Sequence, residues 1–210
     1  MINSPQKIVI IDYGMGNIGS IINMFKYIGA EAIVSSNSQE ISKANKLILP
    51  GIGHFDRAME NIEKLKLSEC IKEMAIHKQV PFLGICLGMQ IMCISSEEGC
   101  SPGLGLVDAN VKKFNFSDSD NLKVPHMGWN SIDISKKTKI LNNVNVDPRF
   151  YFVHSYYVKC NKEDDVLAKS TYGIQFDAAF EHGNLIGVQF HPEKSHKFGI
   201  ALFRNYLNSY

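Results

Sequence analysis

Residues 7–29, KIVIIDYGMGNIGSIINMFKYIG, decide the class of fold. The run over 7–12 is apolar at successive positions, which reads as a strand covered on both faces. A turn rich in Gly and Asn, DYGMGN at 12–17, ends it. Ile18, Ile21, Ile22, Phe25 and Ile28 then recur at the helical period, and Gly29 reads as the C-cap. The same alternation continues outward. EAIVSS (31–36) reads as a strand, 38–44 as a short helix, and KLILP (46–50) as a third strand. One long or two short helices follow over 55–78, with Ser68 as the N-cap between them, and then a strand from Val80 to Cys86. Strand–helix alternation of this kind implies right-handed crossovers and a mainly parallel sheet.

The second half changes character. VDANVKKF, RFYFVHSYYV, DVLAKS, IQFDAAF and LIGVQF read as strands separated by turns between about 104 and 190. Ile200, Phe203, Tyr206 and Leu207 give a closing helix, and the stretches 117–121 and 142–147 read as surface loops. The expected fold is one α/β domain over 1–210: a mainly parallel open sheet flanked by helices and completed by antiparallel strands.

A chain of 210 residues with 45% hydrophobic and 20% charged residues can bury a full core without staples. Lys plus Arg is 22 and Asp plus Glu is 21, a net charge of +1, which removes the broad basic field of a nucleic-acid binder. Five cysteines without paired spacing read as reduced thiols. The aliphatic run Ile8–Ile11 is too short for a signal-peptide core, and nothing approaches the about 18 apolar residues of a membrane span. A soluble, cytoplasmic protein is expected.

Chemistry concentrates in GICLG at 84–88, where a buried strand meets a helix. A nucleophile at such a junction is pushed out over the sheet edge on a sharp turn, and flanking glycines relieve the crowded backbone. The positive end of the following helix favours an anion there. A Cys nucleophile wants a base and a group to orient that base. His191-Pro192-Glu193 offers both, directly after the apolar run LIGVQF, at the strand end where open α/β sheets build their sites. Pro192 biases His191 toward extended geometry, in which residues two apart share a side.

Two other patterns have plainer readings. Cys86, Cys93 and Cys100 stand at equal spacing, but zinc sites seldom use it and no CxxC pair exists. No metal is expected, and Cys93 is assigned to the core. Gly14, Gly16 and Gly19 fit G-x-G-x-x-G, yet the second strand runs into Ser35, Ser36 and Asn37 without the acidic residue a dinucleotide site uses. No cofactor is expected.

PGIGHF (50–55), GICLGMQ (84–90), PHMGWN (125–130), YFVHSY (151–156) and QFHPEKS (189–195) together resemble the class I, triad-type glutamine amidotransferases over nearly the whole chain. Among them the chain is most similar to glutaminase subunits that serve a synthase of histidine biosynthesis. The resemblance implies a triad of Cys86, His191 and Glu193 that hydrolyses glutamine through a γ-glutamyl thioester. It implies oxyanion donors at the Leu87 N–H and in the loop at Ile52 and Gly53, with Asn17 near that loop. It assigns glutamine contacts to Gln90, Glu98, Ser155 and Tyr156. It further implies a heterodimer with a (β/α)₈ synthase that receives the ammonia, docked at Met127, Trp129, Tyr151 and Lys194. Trp129, the sole tryptophan, reads equally as a core anchor.

Gly19 stands where many histidine-pathway members carry a basic residue. A paralogue feeding amination of a surface-polysaccharide sugar is therefore the alternative acceptor assignment. A stand-alone Cys hydrolase on the same fold is the alternative from another class.

Overall fold

In the computed structural model the described residues are 6–117, 122–142, 144 and 147–210. Residues 118–121 of the first expected loop, and 143, 145 and 146 of the second, lie outside them.

The opening βα unit is present: β1 (Ile8–Ile11) enters α1 (Ile18–Tyr27). Gly29 follows the α1 cap residue Ile28 with φ +79°, a left-handed conformation that ends a helix at little cost in glycine. β2 (Ala32–Ser35), α2 (Ser38–Ile41), β3 (Lys46–Leu49), α3 (Phe55–Lys64) and α4 (Ser68–Lys72) come next. A π-helical turn, Glu73–His77, leads to β4 (Phe82–Ile85) and α5 (Leu87–Ile91). The expected N-cap at Ser68 is not one. Leu67 holds the cap position, and the Ser68 hydroxyl instead donates to Glu63.

The C-terminal half contributes β5 (Ser95–Ser96), β6 (Ala109–Lys113), β7 (His126–Ser131), β8 (Asp133–Ile134), β9 (Arg149–His154) and β10 (Tyr156–Cys160). Then come β11 (Val166–Tyr172), β12 (Ile174–His182), β13 (Leu185–Val188) and the long α6 (His196–Ser209).

β2, β1, β3, β4 and β13 run side by side and parallel. Beyond β13 the sheet continues antiparallel through β12 and β10 to β6, with β11 and β8 branching from β12. The expected parallel core is there, and the antiparallel part is as extensive, so the sheet is mixed. β7 and β9 form a separate two-stranded sheet, with Trp129 opposite Tyr151.

The sequence RFYFVHSYYV, which reads as one strand, is broken at Ser155. Its first part pairs in the small sheet and its second in the large one.

Alternation along β1 divides the core. Val9 and Ile11 face the cluster of Phe55, Ile62, Ile71 and Met89, contributed by α3, α4 and α5. Ile8 and Ile10 face Ile21, Phe25, Leu202 and Phe203 of α1 and α6. β1 is therefore covered on both sides, which is why its sequence lacks polar alternation. The buried Lys46 Nζ donates to the carbonyls of Tyr206 and Leu207, satisfying acceptors at the end of α6 that the helix itself cannot. Among the described residues no helix is long and apolar enough to cross a membrane.

Candidate active site

β4 and β13 end side by side, in register from Leu185 opposite Phe82 to Val188 opposite Ile85. The two chemistry-bearing strings of the sequence leave from these ends.

Cys86 follows β4 directly and caps α5, with φ +54° and ψ −110°. Non-glycine residues seldom occupy that region, so the surroundings hold the turn in place. The Cys86 N–H donates to the Val188 carbonyl at 2.8 Å, tying the turn to β13. A side chain at Gly88 would overlap the Leu49 carbonyl, so glycine is required for α5 to start so close to β3. The Cys86 sulfur is buried, 3.7 Å from Gln189 Nε2.

His191 is extended, with φ −101° and ψ 94°, as its proline neighbour dictates. Glu193 meets it by a different route from the one expected. Pro192–Lys194 forms a single 3₁₀ turn, and that turn, not strand alternation, brings the carboxylate back to the ring. The His191 Nδ1–Glu193 Oε1 distance is 2.7 Å, with both side chains 1% exposed. The turn is fixed from behind. Ser195 Oγ donates to the His191 carbonyl at 2.6 Å and accepts the Tyr151 N–H at 3.0 Å, while the His191 N–H reaches the Tyr151 carbonyl at 2.8 Å.

Burial alone would lower the His191 pKa. The nearby Cys86 sulfur and the Glu193 carboxylate outweigh it and push the imidazole up to about 10. Nε2 makes no hydrogen bond among the described residues, which leaves it for the Cys86 side of the ring.

Ile52, Gly53, Leu87, Gln90, Glu98 and Lys194 line one cleft of about 360 Å³ with Cys86 and His191, and Ser155 and Tyr156 form another part of its wall. Ile52 is 44% exposed, and Gly53 has φ +119°. The preceding Gly51 is pressed against the elbow. A Cβ there would lie 2.5 Å from Gly88 N and 2.8 Å from Tyr13 Oη.

Gln90, which looks like an exposed helix residue in isolation, is buried; its Nε2 donates to the Tyr156 carbonyl and to Gln189 Oε1, both at 3.0 Å. Any further contact to a ligand runs through its Oε1. Glu98 accepts the Phe55 N–H at 2.9 Å through Oε2 and lines the cleft. Asn17 caps α1 by position, without a side-chain bond.

Trp129 is 40% exposed and Met127 62%, so the tryptophan is no core anchor. It stacks on His196 at 5.6 Å and meets Tyr151 edge-on at 6.4 Å; Lys194 Nζ lies 5.8 Å from the Tyr151 ring. Three of the four residues assigned to docking thus form one surface cluster beside the cleft, with Met127 exposed on the same strand as Trp129.

The sequence reading missed Tyr13, Gln189, His126 and His154. Tyr13 is buried, donates to the Pro50 carbonyl at 2.6 Å, and so pins the residue before Gly51. Burial, and secondarily Cys86, raise its pKa. Each of the four lies within a quoted motif, and for Gln189 and His154 the available signal was a polar group at the end of an apolar run. The glycine fingerprint has a packing explanation: a Cβ at Gly16 would lie 2.9 Å from Pro50, so this loop buttresses the Gly51–Gly53 segment. Cys93 is buried in the core and Cys100 is exposed. No three His, Cys, Asp or Glu among the described residues are grouped to hold an ion.

The Glutamine amidotransferase class-I family matches residues 9–208. The chain belongs to this family. As a class I glutamine amidotransferase it is 48% identical over 200 residues to the imidazole glycerol phosphate synthase subunit HisH 2 of Methanococcus maripaludis, covering 95% of this chain and 98% of the relative. The subunit HisH 2 of Pseudomonas aeruginosa is 47% identical with the same coverage, and HisH of Leptospira borgpetersenii 42%. The fold is shared with PurLQS from Thermotoga maritima at a TM-score of 0.74 and 17% identity, over 98% of this amidotransferase and 99% of that chain. A solved glutamine amidotransferase gives a TM-score of 0.71 at 18% identity, over 95% and 96% of the two chains.

Proposed function

We propose that residues 1–210 form the glutaminase subunit of an imidazole glycerol phosphate synthase. In this reading the chain works in the cytoplasm as a heterodimer with a (β/α)₈ synthase subunit, which uses the ammonia to make imidazole glycerol phosphate and AICAR in histidine biosynthesis. One observation carries the reading: Cys86 and His191 line one cleft, with Glu193 held 2.7 Å from the far nitrogen of His191, in a chain 48% identical, over 95% of its length, to a subunit of that name.

The geometry suits the chemistry. Glu193 accepts the Nδ1 proton of His191, so Nε2 faces the sulfur. With its pKa raised, the imidazole holds its proton at neutral pH beside the Cys86 sulfur. The thiolate attacks the side-chain carboxamide carbon of glutamine, and the oxyanion is met by the Leu87 N–H and an amide of the Ile52–Gly53 segment. His191 gives its proton to the leaving nitrogen, ammonia departs, and a γ-glutamyl thioester remains. The neutral imidazole then takes a proton from water as the water oxygen attacks the thioester carbon; the C–S bond breaks, glutamate leaves, and the thiolate and protonated imidazole are restored. Gln90 Oε1, Glu98 Oε1, Ser155 and Tyr156 bind the zwitterionic end of the substrate, Glu98 facing its ammonium.

Cys86→Ala tests this. Glutamine hydrolysis is expected to fall by about four orders of magnitude or more, while synthesis driven by added ammonia survives in the complex. Loss of both activities in a folded complex overturns the ammonia-donor reading.

A second reading concerns the acceptor alone. The relatives at 47–48% identity carry the number 2, whereas HisH 1 of Campylobacter jejuni stands at 42%. The numbering is that of second-copy glutaminases, and for such a copy the alternative acceptor is a surface-polysaccharide sugar. Stimulation of hydrolysis by an amino-sugar precursor, and none by the histidine-pathway ribonucleotide, would select it.

A further inference from the structure

β7 has two faces. Met127 and Trp129 are exposed on one face, while His126, buried, and Asn130, half-buried, lie on the other. From these inner residues a chain of hydrogen bonds crosses the small sheet. Asn130 Nδ2 lies 2.8 Å from the Thr171 carbonyl and 3.3 Å from His126 Nε2. His126 Nδ1 lies 3.0 Å from His154 Nε2, and His154 Nδ1 lies 2.7 Å from the Tyr156 carbonyl.

The direction of every proton in this chain is fixed. Burial lowers His126 to about 4 and His154 to about 3, so both rings are neutral at physiological pH, with one donor and one acceptor nitrogen each. A carbonyl only accepts, so His154 carries its proton on Nδ1. Its Nε2 must then accept from His126 Nδ1–H, and His126 Nε2 must accept from Asn130. The carbonyl at the far end also receives Gln90 Nε2, whose other proton goes to Gln189 Oε1. That leaves Gln189 Nε2 pointing at the Cys86 sulfur, 3.7 Å away. Reversing any one member would set donor against donor or lone pair against lone pair somewhere along the line.

We propose that Asn130, His126 and His154 form a one-way relay of positioning residues. It holds the Tyr156 carbonyl and, through Gln90 and Gln189, orients the cleft around Cys86, so that the β7 face bearing Met127 and Trp129 is coupled to glutamine binding. The relay crosses the break at Ser155, where the chain passes from the small sheet to the large one. The His154 bond to the carbonyl two residues on clamps that break. The inference rests on the glutaminase reading, and its tests separate the two.

Nitrogen-15 NMR of the intact protein is expected to show both histidines as Nδ1–H tautomers. An Nε2–H tautomer on either overturns the relay. His126→Phe keeps the ring that stacks on Tyr172 at 4.1 Å but removes both bonds, whereas His126→Asn keeps a donor at the Nδ1 position. In the complex with the synthase, His126→Phe is expected to raise the glutamine KM about three- to tenfold, the worth of one lost hydrogen bond. It is also expected to cut synthase-dependent stimulation, with kcat of the uncoupled chain within about twofold of the parent. His126→Asn should recover most of the loss. Asn130→Leu, on the less buried end of the relay, should shift KM the same way by less, and it carries the test if His126→Phe does not fold. Unchanged KM and stimulation in a folded His126→Phe variant, or equal values for the Phe and Asn variants, overturn the proposal. If the parent chain hydrolyses no glutamine, the alkylation rate of Cys86 by iodoacetamide still reads the relay. A rate changed by Phe and restored by Asn supports it, and a rate equal in all three overturns it.

Discussion

The His191–Glu193 turn and the Gly51–Gly53 segment border the same cleft and are held in opposite ways. The turn is tied into buried structure: Ser195 Oγ fixes the His191 carbonyl, Tyr151 fixes its N–H, and the paired His191 and Glu193 side chains are almost fully covered. The segment is pinned at one end only, where Tyr13 holds the Pro50 carbonyl and Gly51 is wedged on the elbow. Past that point Ile52 is exposed and Gly53 sits at positive φ. The contrast teaches a division of labour. Under the proposed function, proton transfer needs a fixed partner, whereas an oxyanion donor drawn from a glycine-flanked backbone can rotate at low cost, which would give activation a place to act.

Glu193→Gln tests the locked side hardest. The nitrogen-for-oxygen swap keeps the shape of the turn and removes one of the two charges that raise His191. Because the folded imidazole has its pKa raised, its protonated form is complete below the ordinary value of 6.5 and is lost as pH passes through about 10. The variant is expected to lose about a hundredfold in kcat. The alkaline limb of its kcat/KM profile should also move toward lower pH, and a limb that stays put would mean Glu193 does not hold the charge.

Ser195→Ala leaves the triad itself intact but strips its support. It strands the Tyr151 N–H and is expected to cost about 1–3 kcal/mol in denaturant unfolding. Gly53→Ala probes the loose side. The observed φ suits glycine alone, so unfolding should show a loss of about 1 kcal/mol, with a drop in synthase-stimulated hydrolysis larger than in unstimulated hydrolysis. Ile52→Ala is expected to change stability by no more than about 0.5 kcal/mol and to leave hydrolysis near the parent value. A large loss there would show that the side chain, and not only the backbone, contributes.

Much of the site was legible because its chemistry is local in sequence. GICLG and HPE each pack a reactive residue, its neighbours and a turn into a few positions, and the adjoining strands read clearly from their apolar runs. The support behind them was not legible, because it is made by pairs far apart in the chain. Gln90 meets Gln189, His126 meets His154, and Tyr13 meets the Pro50 carbonyl; before folding nothing in the local sequence marks either member of a pair as the other's partner. The break at Ser155 was invisible for a related reason. RFYFVHSYYV has unbroken β character, and only the presence of two sheets forces it to divide. The 3₁₀ turn at Pro192 reached the expected contact by an unexpected path, since proline at the first position of a tight turn serves as well as an extended strand.

The backbone at Cys86 sets evolutionary and engineering pressure against activity. A glycine at that position would relieve a conformation costing about 1–3 kcal/mol, so a screen that rewarded only folding or yield would drift toward replacing Cys86, the proposed nucleophile. If Cys86 is the nucleophile, the strain is the cost of placing its sulfur for turnover, and stability-guided redesign of this chain should hold position 86 fixed from the outset.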